Sequence, residues 1–298
     1  MRLGIDIGGT KTDAVAVEDS GELAHRVRLS TGFGSPAVVK TAIAAITQVA
    51  ELSKLDAVDF QSIGIGIPGV VDNARGHVRH AVNLGFDDLE LGDALADGLG
   101  VRVQVENDVT AAAFGAYRLL GLDQSMAYLN LGTGIAAGLV IDGKLWRGAR
   151  GTAGEIGHIP IDPHGFVCPC GQRGCIETVA SGSGIARQWA SSDPYPVVAL
   201  FDRADDGDPE AIAVRERFAN GVASAVRLLI LTTDVENVVI GGGLSHLGDR
   251  LLSEVTTVLD SWAASSTFLT TLDLTSRVRL VPDGYPVAAI GAALIARD

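Results

Sequence analysis

Apolar and polar positions follow two alternating patterns along this chain. Short stretches rich in β-branched residues and bounded by glycine predict strands, and longer stretches with apolar residues at helical spacing predict helices. Strands are predicted from residue 3 into the glycines at 8 and 9, and at 13–17, 23–30, 62–67, 101–105, 126–131, 137–141, 144–147, 235–240 and 277–281. Helices are predicted at 36–52, 89–99, 109–120, 176–189, 209–231, from the glycines at 241–243 to 264, and at 287–296. This alternation of strands and helices indicates an α/β architecture.

The first glycine-rich turn joins two predicted strands at the start of the chain, in the sequence DIGGTK. Gly8 and Gly9 at a hairpin tip permit positive φ angles and a close approach of the backbone to a ligand. Thr10 and Lys11 add a hydroxyl and a cation, and Asp6 at the strand end could hold Mg²⁺ or its water. The alternative is a plain surface hairpin with solvated polar residues.

A later stretch repeats the order of this first one: strand, glycine turn, strand, turn and strand. Its glycine turn is Gly132-Thr133-Gly134. Two such hairpins could hold one polyphosphate from both sides, so the partial echo suggests duplicated domains, although the two stretches share little sequence identity.

An acidic and amide group follows the strand predicted at 101–105, in the order Glu106, Asn107 and Asp108. Ligand sites of α/β folds gather at the carboxyl ends of strands, where Asp108 could accept a proton from a substrate hydroxyl. Asn and Asp are also favoured helix N-caps, and a helix is predicted next. The two roles are compatible because two adjacent residues are available.

All three cysteines lie in one short stretch, HIPIDPHGFVCPCGQRGCIE, which begins at His158. Cys168, Cys170 and Cys175 supply three thiolates, and His158 or His164 supplies an imidazole, which together make a tetrahedral zinc set. Buried thiols or a disulfide are the alternative, but an odd number of cysteines and Cys-x-Cys spacing both fit a disulfide poorly.

A run of three glycines, Gly241, Gly242 and Gly243, follows the strand predicted at 235–240. Such a run suits close approach to a planar or phosphorylated ligand, and a tight strand-to-helix turn is the alternative.

Composition excludes several classes of protein. The chain has 298 residues and is 47% hydrophobic, which is enough for two domains with a sizeable core. Its formal net charge of −13, from 36 acidic and 23 basic residues, argues against a nucleic-acid partner. No signal peptide and no membrane span are expected. Three cysteines with metal-ligand character fit a reducing cytoplasm.

Taken together, these motifs resemble the ROK family, which comprises repressors, uncharacterised open reading frames and sugar kinases. The resemblance rests on DIGGTK from Asp6, Asn107-Asp108, LGTG from Leu131, EIGH from Glu155, CPCGQRGCIE from Cys168 and the triple glycine, in this order along nearly the whole chain. It implies the actin/hexokinase-like (ribonuclease H-like) fold, with two α/β domains around a cleft. We expect a small domain at 1–111 plus 283–298 and a large domain at 112–282 that carries the cysteines.

The resemblance also implies roles for individual residues. ATP phosphates would lie on Gly8, Gly9, Thr10, Lys11, Gly132, Thr133 and Gly134, with Asp6 placing Mg²⁺ and Gly241, Gly242 and Gly243 bordering the nucleoside. Asp108 would be the general base, and the sugar would be bound by Gly69, Asn83, Asn107, Asp108, Glu155, His158 and Glu177. Structural zinc would be held by His158, Cys168, Cys170 and Cys175, which leaves His164 as a loop residue.

Two departures from the family pattern lie close to these residues. Ala136 and Ala137 stand where family kinases continue with glycines, so that their methyl groups could crowd or stiffen the phosphate loop. Val109 and Thr110 follow Asp108 in place of the usual Ala-Asn, and Ala116 stands where the family later has a glutamate. These changes bear on sugar identity and loop geometry more than on kinase chemistry.

The resulting expectation is a cytoplasmic ATP-dependent hexose kinase. Glucose is the first hypothesis for its sugar substrate, and N-acetylmannosamine is the second. A non-enzymatic sugar sensor and a sugar-independent ATPase are the rival hypotheses. The sensor is disfavoured because Lys11 and Asp108 are present and the phosphate hairpin begins at residue 3, with no preceding DNA-binding segment expected. The ATPase is disfavoured by the polar sugar set. The partners are therefore sugar and ATP, with polyphosphate as a possible donor, and family precedent suggests a dimer or tetramer.

Overall fold

The computed structural model describes residues 1–295, so the last residue of the helix predicted at 287–296 lies outside the described residues. The chain divides into two compact units. Unit 1 contains Met1–Asp123, Gly138–Ala153 and the C-terminal segment from Gly284, and unit 2 contains Gln124–Ala137 and Gly154–Asp283. The boundary expected between residues 111 and 112 falls inside a helix that the structure keeps whole in unit 1.

The helices and strands follow one another along the chain with short connections. The first half contains β1 (Arg2–Ile7), β2 (Lys11–Val17), β3 (Leu23–Ser30), α1 (Ser35–Ser53), β4 (Ile63–Ile67), β5 (Val70–Asp72), β6 (His77–Ala81), β7 (Phe86–Glu90), α2 (Leu91–Leu99), β8 (Gln104–Asn107), α3 (Asp108–Leu119), β9 (Met126–Leu131), β10 (Ile135–Ile141) and β11 (Lys144–Leu145). The second half contains α4 (Glu177–Ala180), α5 (Gly182–Gln188), α6 (Pro196–Asp205), α7 (Pro209–Thr233), β12 (Asn237–Gly241), α8 (Asp249–Ala264), α9 (Thr267–Leu272), β13 (Val278–Leu280) and α10 (Val287–Ile295). In the described part of the chain, no helix is both long and apolar enough to cross a membrane.

The main sheet of unit 1 has the strand order β3-β2-β1-β4-β8. Its first three strands are antiparallel, whereas β4 and β8 join β1 in parallel. One face carries Leu3, Ile5 and Ile7, which are fully buried in a core with α1. The other face is covered by α10, which approaches so closely that a Cβ on Gly4 would lie 1.9 Å from the carbonyl oxygen of Ala289. Unit 1 also contains a small three-stranded sheet with the order β5-β6-β7.

The strand register of the main sheet places a row of polar residues on the face that α10 covers. Arg28 pairs with Asp13, Asp13 with Asp6, Asp6 with Gly66, and Gly66 with Glu106. Residues that pair across neighbouring strands point to the same side of a sheet. Three acidic side chains therefore share one face, close to the end of β8 where Asn107 and α3 follow.

The second sheet has the strand order β11-β10-β9-β12-β13. In unit 2, β12 lies between β9 and β13 and is parallel to both. The chain passes into unit 1 within β10, after Ala137, and β10 then pairs with β11 in an antiparallel hairpin. The glycine turn at residues 132–134 thus follows β9. Strand β9 pairs with β12, which leads into the triple glycine.

Some sequence-based assignments of secondary structure are wrong. Residues 89 and 90 belong to β7, because β6 and β7 pair up to Glu90. The helix expected at 176–189 breaks at Ser181, whose hydroxyl accepts from the amide of Gly184 at 3.0 Å and caps α5. Helix α6 was not predicted, because the two prolines at 194 and 196 indicated a loop over residues 191–196. Pro196 is instead in the first turn of α6, a position to which proline is well suited. Helix α9 was also missed.

Candidate functional site

The first glycine hairpin lies in unit 1 and is held closed by its own backbone. The amide of Gly8 donates to the carbonyl of Lys11 at 2.9 Å, and the amide of Thr31 donates to the carbonyl of Thr10 at 3.1 Å. Neither Gly8 nor Gly9 has a positive φ angle, so the turn does not use this freedom of glycine. A Cβ on Gly9 would lie 3.2 Å from the carbonyl oxygen of Asn83, a tight contact that a small shift of the neighbouring backbone would have to relieve.

Asp6 lies at the base of this hairpin in a strongly acidic setting. Burial raises the pKa of its carboxyl group to about 8, and the negative charges of Asp108 and Asp13 add to the rise, while Arg28 opposes it. A nearby cation would stabilise the ionised form of a carboxyl group that has two acidic neighbours. The donor set therefore fits Mg²⁺, which prefers carboxylate and water oxygens.

Asp13 next to it is compensated within the protein. Arg26 donates from Nε and Nη2 to the two carboxylate oxygens at 2.7 Å each, and Arg28 donates from Nη2 at 2.6 Å. Burial raises the pKa of Asp13, but these bonds outweigh it, so that the net pKa lies below its ordinary value. Asp13 is therefore a stable anion, and Asp6 is the member of the row with an unmet need for positive charge.

Asn107 and Asp108 lie where β8 ends and α3 begins, and the two residues divide the expected roles. The Asn107 side-chain oxygen accepts from the amides of Val109 and Thr110 at 3.0 Å each, so Asn107 is the N-cap. Its amide nitrogen donates to the carbonyl of Gly69 at 3.3 Å. One Asp108 carboxylate oxygen accepts from the amide of Val109 at 2.9 Å. Any contact from Asn107 to a ligand would use the remaining hydrogen on its amide nitrogen, since its oxygen is occupied.

Glu106 was not singled out by the sequence, yet it braces this strand end. The residue as a whole is 4% exposed. One oxygen accepts from the amide of Asn107 at 2.9 Å, and the other accepts from Arg147 Nε at 2.8 Å and Nη2 at 2.7 Å. No local sequence signal connects positions 106 and 147, because the pairing depends on the packing of distant segments.

Gly69 and Asn83 also lie in unit 1, beside these groups. Gly69 has a φ of 114°, and a Cβ there would lie 2.6 Å from the carbonyl oxygen of Arg79. Glycine is therefore required at this position both by conformation and by space. Asn83 is exposed in a short 3-10 helix, Val82–Leu84, and its backbone borders Gly9. The structure thus brings Gly69 to Asn107, and Asn83 to the phosphate hairpin.

The second glycine hairpin lies in unit 2 and contacts the segment after the cysteines. The amides of Gly182 and Ser183 donate to the carbonyls of Gly132 at 2.9 Å and Thr133 at 3.1 Å. The Glu177 carboxylate accepts from the amide of Ile135 at 3.2 Å. A Cβ on Gly134 would lie 2.7 Å from the same oxygen of Glu177. Glu177 is therefore placed against the base of the hairpin.

The alanines that depart from the family pattern are accommodated in β10. Ala137 is buried, and its amide donates to the carbonyl of Gly154 at 2.8 Å. The space is made by Gly154, where a Cβ would lie 1.8 Å from the carbonyl oxygen of Ala137. Ala136 is half-buried. The tip at residues 132–134 is closed by its own bond, from the Gly132 amide to the Gly134 carbonyl at 3.0 Å.

The triple glycine borders a cavity of about 380 Å³ in unit 2. Gly242 has a φ of 86°, and a Cβ there would lie 2.5 Å from the carbonyl oxygen of Leu131, so β12 ends directly against β9. Gly243 faces open space and lines the cavity. The other lining residues are Gly132, Thr133, Gly182, Ser183, Pro194, Tyr195, Pro196, Val197, Val198, Leu244, His246 and Leu247. A largely apolar cavity with glycine backbone at its edge suits a planar heterocycle with attached phosphates.

The three cysteines and His158 come together in unit 2. Their ligand atoms all lie within 4.8 Å of one another, with 3.7 Å between the sulfurs of Cys170 and Cys175. Tetrahedral zinc–thiolate bonds of about 2.3 Å require sulfurs about 3.8 Å apart, so the spacing suits the ion. The pKa of Cys175 is raised to about 12 by burial, and a divalent cation would overcome this cost of forming the thiolate.

The structure distinguishes the two histidines by their distance from the cysteines. Nδ1 of His158 lies 3.8 Å from the sulfur of Cys168. His164 is exposed, and its backbone amide donates to Asp162 at 2.8 Å, outside the cluster. With Nδ1 facing the thiols, Nε2 of His158 is left for a second role. Glu155 is exposed at the start of the short 3-10 helix Ile156–His158, one turn before this ring.

Comparison with known proteins identifies the family of this chain. The model of the ROK family matches residues 2–298. A glucokinase of Halalkalibacterium halodurans is 34% identical over an alignment 282 residues long, and the match covers 88% of this chain and 86% of that protein. An N-acetylmannosamine kinase of Yersinia pseudotuberculosis is 34% identical over 245 residues, which are 81% of this chain and 82% of that protein.

A solved structure shows the same fold. It is a ROK family glucokinase of Streptomyces griseus in complex with glucose and AMPPNP, and it is 29% identical to this chain. The TM-score is 0.80, and the match covers 99% of both chains. The predicted fold class is thereby confirmed.

Proposed function

Because this chain belongs to the ROK family, we propose that it is an ATP-dependent hexose kinase, with glucose as the sugar that it phosphorylates. The observation that carries the proposal is the arrangement in unit 1. The first glycine hairpin begins directly after Asp6. The side chain of Asp6 lies on the same face of the sheet as that of Glu106 in β8, the strand that ends at Asn107 next to Asp108. The hairpin, Asp6 and the Asn107–Asp108 pair thus lie at the same end of the parallel strands β1, β4 and β8, which supports their assignment as phosphate loop, cation position and base.

Asp108 is the general base of the proposed reaction. Its carboxylate takes the proton from the sugar hydroxyl, whose oxygen then forms a bond to the γ-phosphorus as the bond to the β-bridging oxygen breaks and ADP leaves. The Asn107 cap holds the first turn of α3 and thereby orients Asp108. Asp6 would hold Mg²⁺ or its water, and the ion would offset charge on the transferring phosphoryl group.

The cavity beside the triple glycine is the proposed nucleoside site. Gly243 and the apolar wall from Pro194 to Val198 suit an adenine ring, and the amides around Gly132 and Thr133 suit its phosphates. Lys11 and the amides of the hairpin in unit 1 are the proposed contacts for the outer phosphates. The relative solved with AMPPNP supports a nucleoside triphosphate as the donor.

The sugar is assigned to Gly69, Asn83, Asn107 and Asp108 in unit 1 and to Glu155, His158 and Glu177 in unit 2. His158 can serve both the sugar and zinc, since its two ring nitrogens are separate and Nδ1 already faces Cys168. Glu177 already accepts one backbone hydrogen bond, so only its remaining lone pairs would serve the sugar.

We assign structural zinc to His158, Cys168, Cys170 and Cys175. The ion would hold the loop that joins His158 to Glu177, and it would therefore preorganise the sugar ligands without taking part in phosphoryl transfer. A thiolate-rich site of this kind agrees with a cytoplasmic location for the protein. One bound zinc per chain is expected by elemental analysis of the purified protein.

The test of the kinase assignment is the variant Asp108→Asn. It should lose sugar-dependent ADP release by at least about two orders of magnitude, because the proton acceptor is gone while the shape is kept. Glucose binding, measured by calorimetry in the absence of ATP, should change by less than about threefold. Turnover close to that of the unmodified protein would refute the role of Asp108.

N-acetylmannosamine is the second candidate substrate, because a kinase of this specificity from Yersinia pseudotuberculosis shares 34% identity with the chain. A panel of hexoses and N-acetylhexosamines, compared by kcat/KM with coupled ADP detection, separates the two. The same assay without sugar separates a kinase from a plain ATPase. No turnover with any sugar, together with tight sugar binding, would favour a sensor.

A further inference from the structure

A second cavity, of about 390 Å³, lies in unit 1 and shares no residue with the nucleoside cavity. It is bounded by β5 and the turn after it, by Arg79 on β6, and by the loop that contains Arg147 and Arg150. Its volume falls within the range of small-molecule sites. None of the roles assigned above uses this space.

The charge of the cavity is opposite to that of the whole protein. The chain carries a formal net charge of −13. The cavity wall nevertheless holds three guanidinium groups, those of Arg79, Arg147 and Arg150, and a single carboxylate, that of Asp72. One Asp72 oxygen already accepts from the amide of Ala74 at 3.1 Å. The wall therefore has a clear excess of positive charge and of hydrogen-bond donors.

The three arginines differ in how firmly they are held. Arg147 is anchored, because Nε and Nη2 both donate to the buried carboxylate of Glu106, at 2.8 and 2.7 Å. Arg79 and Arg150 are exposed, and among residues 1–295 neither has a carboxylate within ion-pair distance. One donor group is thus positioned in advance, and the other two guanidinium groups form no ion pair among residues 1–295, although the carboxylate of Asp72 shares the cavity wall with them.

We propose that this cavity binds a phosphate-class anion, either inorganic phosphate or the phosphate of a hexose 6-phosphate. Guanidinium groups present paired N–H donors that match phosphate oxygens, and several of them around one cavity favour a dianion over chloride or a single carboxylate. The cavity has room for a phosphate with a sugar attached. The site goes beyond the proposed kinase activity, since binding there requires neither ATP nor phosphoryl transfer.

The experiment is equilibrium dialysis of radiolabelled inorganic phosphate against the full-length protein at constant ionic strength set with sodium chloride. The test variant is Arg79→Gln with Arg150→Gln, and the two single variants are measured as well. The control is Arg279→Gln, because Arg279 is also exposed but lies on β13 of unit 2. Circular dichroism verifies that each variant is folded. Lys11→Gln distinguishes this cavity from the phosphate hairpin.

Saturable binding is expected in the unmodified protein, the control and Lys11→Gln. The double variant should bind at least about tenfold more weakly, since lost charge-assisted bonds of about 1.5 kcal/mol or more correspond to that ratio. Competition by glucose 6-phosphate distinguishes the ligands, because stronger competition than by unlabelled phosphate identifies the ester and weaker competition identifies the free ion. Equal binding by the double variant, loss of binding in Lys11→Gln, or no saturable binding at all would overturn the proposal.

Discussion

Removal of either partner of the Glu106–Arg147 pair should destabilise unit 1 to very different extents. The Glu106 side chain is 5% exposed and that of Arg147 is 37% exposed. Arg147→Met leaves a buried carboxylate with the Asn107 amide as its one remaining donor among the bonds described, which should cost about 3 kcal/mol. Glu106→Gln leaves an arginine that can turn to water and keeps an acceptor for the Asn107 amide, which should cost about 1 kcal/mol.

The combination of both changes gives the sharper test. Adding Glu106→Gln to Arg147→Met removes the uncompensated charge, so the double variant should be more stable than Arg147→Met by about 1–2 kcal/mol. Unfolding in urea can be followed through Trp146 in unit 1 when Trp189 and Trp262, both in unit 2, are replaced by phenylalanine. If the double variant is less stable than Arg147→Met, then the cost of Arg147→Met does not come from an uncompensated buried charge on Glu106.

Three other changes test other parts of the structure. Gly291→Ala should destabilise by at least about 2 kcal/mol in thermal unfolding, because its Cβ would meet the backbone of α3 at 1.8 Å, whereas Gly98→Ala, also in a helix, meets only the end of a flexible side chain and should be nearly neutral. Zinc chelation should raise the sugar KM several-fold with little change in the KM for ATP, and Mg²⁺ should not reverse the effect. Asp13→Asn should destabilise most at neutral pH, since the pKa of Asp13 is lowered on folding; the penalty should shrink as pH falls below about 4, where the unfolded carboxyl is protonated, and a pH-independent penalty would contradict the linkage.

Sequence patterns were most informative where a structural rule acts over a few neighbouring residues. The strands Leu23–Ser30 and Met126–Leu131 occur with the bounds that their alternation and flanking turns predicted. The cysteine cluster also followed from spacing alone, because four ligands within one short loop must lie close together. The pattern left His158 and His164 as alternatives, and the distance from His158 to Cys168 agrees with the choice that the family resemblance gave.

The groups that the sequence did not reveal depend on strand register and on distant segments. Asp13 looked like the start of an ordinary strand, and its clamp by Arg26 and Arg28 exists because β3 pairs with β2 in one particular register. Glu106 pairs with Arg147, forty-one positions later, through packing that no local motif records. Residues 191–196 were expected to form a loop because of their two prolines, and helix α6 after them was not predicted, although Val197, Leu200 and Phe201 have helical spacing.

The last helix of the chain closes the first sheet, and this order matters during synthesis. Gly4, Val15 and Val17 belong to strands that are made long before the helix that covers them, α10, which begins at residue 287. At ordinary rates of elongation, these strands wait roughly 15 to 60 s for their covering. Until then the apolar part of this sheet face, around Val15 and Val17, stays exposed to solvent on the ribosome, while most of unit 2 has already been synthesised. Truncation of even the final helix should therefore leave a nascent chain that recruits chaperones and does not become soluble.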